Sequence, residues 1–195
     1  MSSMLVSREL KRLMSKASAV FFDRDGVLNE AIIREGKPYP PKNLTEFIIK
    51  PEAASVLKQL KAMGFLIFVV TNQPDIARAT TSLEAVDVLN QALKKALPEI
   101  DAILVCPHDD SDECICRKPL PGLIFQAQER YKNLGEIDLS KSFMVGDRWR
   151  DIEAGERAGC KTIWMNFGYQ EKQPEKYDAV TDSLMGVLNF ILESK

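Results

Sequence analysis

The fold is decided by the stretch Ala19-Val20-Phe21-Phe22-Asp23-Arg24-Asp25-Gly26-Val27-Leu28-Asn29. A short apolar run ends there in two aspartates, and alternate residues of an extended chain share a face. Asp23 and Asp25 would therefore point the same way at the C-terminal end of a buried strand, where open α/β sheets bind ligands. Gly26 lets the backbone turn away. The stretch predicts a carboxylate nucleophile, Asp23, with a proton-transfer partner, Asp25.

The composition is that of an ordinary globular chain. It has 195 residues, of which 45% are hydrophobic and 28% charged, and its formal net charge is −2. We expect no general attraction to nucleic acid or to an anionic membrane. No apolar run reaches the roughly 20 residues of a membrane span, and residues 1–16 lack the apolar core of a signal peptide. We therefore expect a cytoplasmic protein with reduced or metal-bound cysteines.

The order of the predicted elements favours a doubly wound α/β fold. Strands are predicted over residues 19–22, 65–71, 100–105, 142–145, 161–165 and 178–180, and helices over 51–63, 81–97, 122–133, 151–158 and 183–192. This alternation predicts a Rossmann-like, three-layer, mostly parallel sheet without a large cap domain. We treat residues 1–17 as an N-terminal extension, with either a short amphipathic helix or a frayed terminus over 1–16, and residues 18–195 as one domain. The proline-rich residues 29–43 should form a loop at the rim of the site.

Polar residues follow three of the predicted strands. The segments are Asp23-Arg24-Asp25-Gly26, Thr71-Asn72-Gln73 and Gly146-Asp147-Arg148. Because the C-terminal ends of the strands converge on one crevice, these side chains should meet there, with Lys118 approaching from the side. Asp147 and Asp151 add a further acidic pair, and hard carboxylate ligands favour Mg²⁺. Each segment alone is compatible with an ordinary turn, but their joint occurrence favours a functional site.

These segments, in this order over about residues 20–158, resemble the four motifs of the haloacid-dehalogenase-like (HAD-like) phosphatase superfamily. The resemblance implies that Asp23 attacks phosphorus to give an aspartyl-phosphate, while Asp25 protonates the leaving oxygen and then activates water. It also implies Mg²⁺ held by Asp23, the backbone carbonyl of Asp25 and Asp147, with Asp151 in support. The substrate- and phosphate-binding residues that we expect are Thr71, Asn72, Gln73, Arg78, Arg117 and Lys118.

A second cluster begins with Cys106-Pro107-His108 and ends, after five residues, with Cys114-Ile115-Cys116. Three thiolates and one imidazole make a closed tetrahedral zinc site with no position for a substrate water. We therefore predict a structural Zn²⁺ loop over residues 106–116, which would also fix Lys118. The alternative is a group of buried thiols beside a surface histidine. Cys160 is expected to be an ordinary core thiol.

The predicted zinc loop resembles the small, capless branch that contains the heptose bisphosphate phosphatases and the histidinol-phosphate phosphatases. Residues 71–73 and 76–78 resemble the heptose type, although Pro74-Asp75 and Ala79 depart from it. The gap between His108 and Cys114 is instead similar to the histidinol type. We favour the heptose type, since Arg78 could meet a second phosphate. Arg78 and Arg117 are also compatible with plain surface charges.

Three functions compete at this point. The first is a Mg²⁺-dependent phosphatase acting on a small phosphorylated sugar, with a heptose bisphosphate as the best guess. The second is a histidinol-phosphate phosphatase, and the third is a non-catalytic phospho-acceptor similar to a receiver domain, which would leave Asp25 and the Cys/His cluster unexplained. A polynucleotide phosphatase would need a basic stripe that this chain lacks. We expect a monomer with neither nucleic-acid nor membrane partners.

Overall fold

The computed structural model describes residues 16–132 and 136–194. The helix predicted over residues 1–16 lies outside these residues except for its last position. Within the described residues, no helix combines the length and the apolar character that a membrane crossing requires.

One parallel sheet organises the described residues. Its strands are β1 (Ala19–Phe22), β4 (Leu66–Asn72), β5 (Ala102–Cys106), β6 (Phe143–Gly146), β7 (Lys161–Met165) and β8 (Ala179–Thr181). They lie in the order β5-β4-β1-β6-β7-β8, and every neighbouring pair is parallel. The chain winds outward from β1 in both directions, so the topological switch point lies between β1 and β6. The doubly wound sheet predicted from the sequence is confirmed, and each predicted strand boundary lies within two residues of the observed one.

Helices cover both faces of the sheet. They are α1 (Ala53–Ala62), α2 (Leu83–Ala96), α3 (Gly122–Arg130), α4 (Trp149–Ala158) and α5 (Leu184–Glu193). Val20 and Phe22 belong to the apolar core under α1, α2 and α5, whereas Ala19 and Phe21 belong to the core under α3 and α4. A strand buried on both faces needs a continuous apolar sequence, which β1 has. The three-layer arrangement is therefore confirmed, and the described residues contain no inserted cap domain.

Residues 29–43 differ from the predicted loop. They contain an antiparallel hairpin of β2 (Ile32–Arg34) and β3 (Lys37–Tyr39). Its two turn residues, Glu35 and Gly36, both have positive φ (49° and 72°), which matches the twist of a tight hairpin. Pro38 is tolerated because a two-stranded ribbon has free edges. The hairpin does lie at the rim of the site, as predicted, since residues 37–40 line the cavity described below.

Gly155 allows α4 to pack closely on the sheet. A Cβ atom there would lie 2.5 Å from Met144 Cβ and 2.9 Å from Thr162 Cγ2. We predict that Gly155→Val lowers the free energy of unfolding by about 2–3 kcal/mol, because both neighbours are buried in the sheet. The neighbouring variant Glu156→Val, on the exposed side of α4, should cost only about 0.5 kcal/mol. Urea denaturation measures both values, and equal losses would contradict this packing.

Candidate active site

The predicted residues meet at the C-terminal edge of the sheet. They surround a cavity of about 300 Å³ whose lining includes Asp23, Asp25, Thr71, Asn72, Arg78, Arg117, Lys118 and Asp151. Asp147 and Gln73 lie beneath this lining and are almost completely buried. The structure therefore brings together the three segments that the sequence placed at strand ends, and Lys118 with them.

Lys118 makes the central contacts of the site. Its ammonium lies 2.6 Å from Asp23 Oδ1 and 2.5 Å from Asp151 Oδ1, and it donates to the carbonyl oxygen of Val70 at 2.7 Å. Burial alone would lower the pKa of Lys118, but the carboxylates of Asp151 and Asp23 outweigh it and raise that pKa. The lysine is therefore a fixed cation, held against the predicted nucleophile.

Asn72 fixes the backbone that carries this lysine. Its side-chain amide donates to the carbonyl oxygen of Lys118 at 3.0 Å, and its Oδ1 accepts from the Lys118 N–H at 3.1 Å. The Asn72 side chain thus ties the end of β4 to the loop after β5. Because these contacts use only the Asn72 side chain, the backbone at Asn72 stays the predicted phosphate-binding group.

Gln73, which was predicted to bind substrate, is not among the residues that line the cavity. Its side chain is 2% exposed, and its Nε2 donates to Asp25 Oδ2 at 2.8 Å and to Thr71 Oγ1 at 2.9 Å. The Gln73 side chain points beneath the cavity. It does not line the cavity itself but orients Asp25 and Thr71, which do.

Three buried carboxylates lie side by side under the cavity. Oxygen atoms of Asp23, Asp147 and Asp151 all lie within 4.8 Å of one another. Burial raises the pKa of Asp23 to about 6, with Asp151 and Asp25 adding to the rise and Lys118 opposing it. Burial, together with the charges of Asp23 and Asp151, likewise raises the pKa of Asp147. Among the described residues, Lys118 supplies the one buried ammonium in contact with these three carboxylates, which leaves a surplus of negative charge.

Asp147 fits the role of a metal ligand. Neither carboxylate oxygen of Asp147 has a hydrogen-bond partner of normal geometry within the described residues. The nearby Tyr169 hydroxyl partly opposes the rise in the pKa of Asp147. Buried polar atoms without partners are rare in proteins. A hard divalent cation would satisfy these oxygens and balance the surplus charge, so the donor set fits Mg²⁺.

Two glycines let these acids approach one another. A Cβ atom at Gly26, where φ is +93°, would lie 1.9 Å from Asp147 Oδ2, and one at Gly146 would lie 2.0 Å from Asp151 Cβ. Asp151 also caps α4, because its Oδ2 accepts from the backbone N–H of Arg148 at 3.0 Å. Any side chain at Gly26 would displace the Asp147 carboxylate, and any side chain at Gly146 would displace Asp151.

The arginines at the mouth of the cavity are already paired with acids. Arg78 donates twice to Asp109, at 2.7 Å each, and Arg117 donates to Asp110 at 2.8 Å. Arg150, which sequence reasoning missed, also contacts Asp110, at 3.1 and 3.2 Å. The sequence signal that could have identified Arg150 is its position next to Asp151, in the first turn of α4. Ion pairs at an exposed mouth are weak, so a substrate anion can compete for these guanidinium groups.

The predicted zinc ligands form a tight tetrahedral cluster. The Sγ atoms of Cys106, Cys114 and Cys116 lie 3.2–3.7 Å apart, and His108 Nδ1 lies 3.3 Å from Cys116 Sγ and 3.6 Å from Cys106 Sγ. A tetrahedral Zn²⁺ with Zn–S bonds of about 2.3 Å requires edges of about 3.8 Å, close to these values. None of the cysteines is in a disulfide. The donor set and its geometry both fit zinc.

Cys160 lies apart from this cluster, as predicted. It is buried in the apolar core under α3 and α4, and burial raises the pKa of its thiol to about 12. It is therefore an inert core thiol.

Known proteins resemble this chain in both sequence and structure. A family model described as "HAD-hyrolase-like" matches residues 115–186. The chain is 31% identical to D-glycero-alpha-D-manno-heptose-1,7-bisphosphate 7-phosphatase of Photorhabdus laumondii, over 91% of this chain and 98% of that protein. It is 35% identical to D-glycero-beta-D-manno-heptose-1,7-bisphosphate 7-phosphatase of Pasteurella multocida, over 90% and 91% of the two chains.

A solved structure extends this similarity to three dimensions. The crystal structure of D,D-heptose 1,7-bisphosphate phosphatase from Bordetella bronchiseptica, complexed with magnesium and phosphate, superposes with a TM-score of 0.76 at 29% identity. The match covers 91% of this chain and 99% of that one. A shared fold and sequence identity above 30% over nine-tenths of the chain lead to one conclusion: this chain is a phosphatase that belongs to the HAD-like family.

Proposed function

We propose that the protein removes the 7-phosphate of D-glycero-D-manno-heptose 1,7-bisphosphate. The observation that carries the proposal is the buried Asp23 carboxylate on the cavity floor, in contact with Lys118 and beside two further acids. The names of the relatives supply the substrate class and place the reaction in carbohydrate metabolism. A receiver-like phospho-acceptor is disfavoured, because these relatives are phosphatases.

Each residue has a chemical task in this proposal. Asp23 attacks the phosphorus atom, and the Lys118 ammonium neutralises charge on the phosphoryl oxygens. Asp25 gives a proton to the leaving sugar oxygen and later takes one from the water that hydrolyses the aspartyl-phosphate. Thr71 and the backbone at Asn72 would donate to the remaining phosphoryl oxygens.

Magnesium would be held by Asp23, Asp147 and the backbone carbonyl of Asp25, with Asp151 beside it. When bound, it supplies positive charge that lowers the repulsion between the carboxylate nucleophile and the phosphoryl oxygens. Burial of the three acids excludes bulk water from the nucleophile, which strengthens these interactions.

The mouth of the cavity suits a second phosphate. Arg78 and Arg117 line it, and the side chain of Arg78 is 48% exposed, within reach of an entering anion. In this proposal the 1-phosphate displaces Asp109 or Asp110 from these guanidinium groups.

We further propose that the enzyme acts as a monomer in the cytoplasm, a compartment that keeps its zinc-binding thiols reduced.

We predict that Asp23→Asn lowers turnover at least about 10³-fold, because an amide oxygen is a poor nucleophile. Phosphate release with Mg²⁺ is measured on a panel of the α and β anomers of the heptose bisphosphate, histidinol phosphate and p-nitrophenyl phosphate. The heptose compounds should have the highest kcat/KM. A preference for histidinol phosphate would favour the alternative suggested by the His108–Cys114 spacing. Full activity of the variant would contradict the mechanism.

The zinc loop gives a separate prediction. Purified protein should contain one Zn²⁺ per chain, and Cys114→Ser should lose it together with thermal stability, because structural zinc contributes to folding. Cys160→Ser is the matched control, since this buried thiol is not among the four ligands, and it should keep the metal. Elemental analysis measures the zinc content of the two variants. Zinc retained in the Cys114 variant, or well below one equivalent in the parent protein, would sink the assignment.

A further inference from the structure

Asn90 is a polar residue on the core-facing side of α2. The other buried residues of this helix are Val86, Leu89 and Leu93, whereas Asn90 is only 8% exposed in the same face. Its Oδ1 accepts a hydrogen bond of 2.8 Å from Arg24 Nη1, across 66 positions of sequence. An amide in such a face is costly unless it is hydrogen-bonded. The hydrogen bond from Arg24 therefore explains why a polar residue occupies this face of α2.

Arg24 connects this helix to the active site. Its guanidinium is completely buried, and it grips the Asp25 carboxylate with two hydrogen bonds, from Nε to Oδ1 at 3.1 Å and from Nη2 to Oδ2 at 2.9 Å. The ring of Phe47 lies 5.7 Å from its Cζ atom. Because the guanidinium fork is planar and rigid, the plane of Arg24 sets the plane of the carboxylate.

Two further donors complete the shell around Asp25. Asn29 Nδ2 donates to Oδ1 at 3.1 Å, and Gln73 Nε2 donates to Oδ2 at 2.8 Å. Each carboxylate oxygen thus accepts two hydrogen bonds from the protein, and one of these four bonds has to open for Asp25 to carry the proton that it transfers. The orientation of Asp25 in the cavity is set by these neighbours, and Asn90 is the group that holds the far side of Arg24.

We propose that Asn90 is a positioning residue for proton transfer, acting on Asp25 through Arg24. The inference rests on the proposed function, in which Asp25 protonates the leaving oxygen while the bond between that oxygen and phosphorus breaks and the bond from Asp23 to phosphorus forms. Proton transfer requires a separation of about 2.6–3.2 Å between the heavy atoms. A displacement of about 1 Å can cost about a hundredfold in rate.

The dependence on the leaving group separates positioning from a merely structural role. An alkoxide is a poor leaving group and needs the proton from Asp25, whereas p-nitrophenolate leaves readily without it. A displaced Asp25 lowers kcat/KM for an alkyl phosphate more than for p-nitrophenyl phosphate. General loss of folded enzyme lowers both equally. The value of kcat/KM excludes the later hydrolysis of the aspartyl-phosphate, which both substrates share.

The test uses two variants and one control. Asn90→Ala removes the acceptor, and water can enter because Asn90 borders a surface groove. Arg24→Lys keeps the charge but loses the planar fork. The control is Gln91→Ala, since the exposed Gln91 lies next to Asn90 on α2 and bonds only Asp87 among the described residues. The measured quantity is the ratio of kcat/KM for the best alkyl substrate of the panel to kcat/KM for p-nitrophenyl phosphate.

We expect this ratio to fall about tenfold in both variants, a part of the 10²–10⁴ that general acid catalysis supplies, and to stay unchanged in the control. Asp25→Asn provides the reference and should lower the ratio further. If Asp25→Asn lowers the ratio while Asn90→Ala does not, the positioning role of Asn90 is overturned, whatever Arg24→Lys does, and the proposed function stands. If Asp25→Asn leaves the ratio unchanged, the acid role itself fails, and the inference fails with it.

Discussion

The ion pairs of Lys118 with Asp23 and Asp151 are the interaction on which the site depends. Removing one partner of a buried ion pair typically costs about 3–5 kcal/mol, because the remaining charge is left without compensation. The fold meets this constraint by bringing the lysine from the loop after β5, the nucleophile from β1 and the second acid from α4. The charges can be buried only because they are paired, and the same pairs form the catalytic site.

The zinc loop and the active site are mechanically connected. Cys116 lies two positions before Lys118, and Asn72 holds the backbone of that lysine from β4. Gly122 permits the close approach of the loop to α3, since a Cβ there would lie 2.1 Å from the carbonyl oxygen of Ile115. The described residues contain no large cap domain, and the loop whose ligands fit zinc leads directly to the lysine and the neighbouring arginine at the cavity.

Much of this arrangement could be predicted from the sequence, because strand periodicity and the order of the elements place the strand ends at one edge. What could not be predicted is the direction of individual polar side chains. Gln73 occupies a strand-end position like Thr71, yet it turns beneath the cavity to bond Asp25. The contact between Asn90 and Arg24 depends on how α2 packs on the sheet, and no local pattern encodes that. The β2–β3 hairpin was missed because three nearby prolines outweighed its tight turn.

The central claim is that Asp23 carries the phosphoryl group during the reaction, and trapping that intermediate tests it most directly. Enzyme mixed with substrate and Mg²⁺ is quenched in acid within one turnover, reduced with borohydride and digested, and the peptides are analysed by mass spectrometry. The account predicts homoserine at position 23, formed from the aspartyl-phosphate, and only in the presence of substrate. An unmodified Asp23 alongside a full turnover of released phosphate, or a phosphoryl group on another residue, would contradict it.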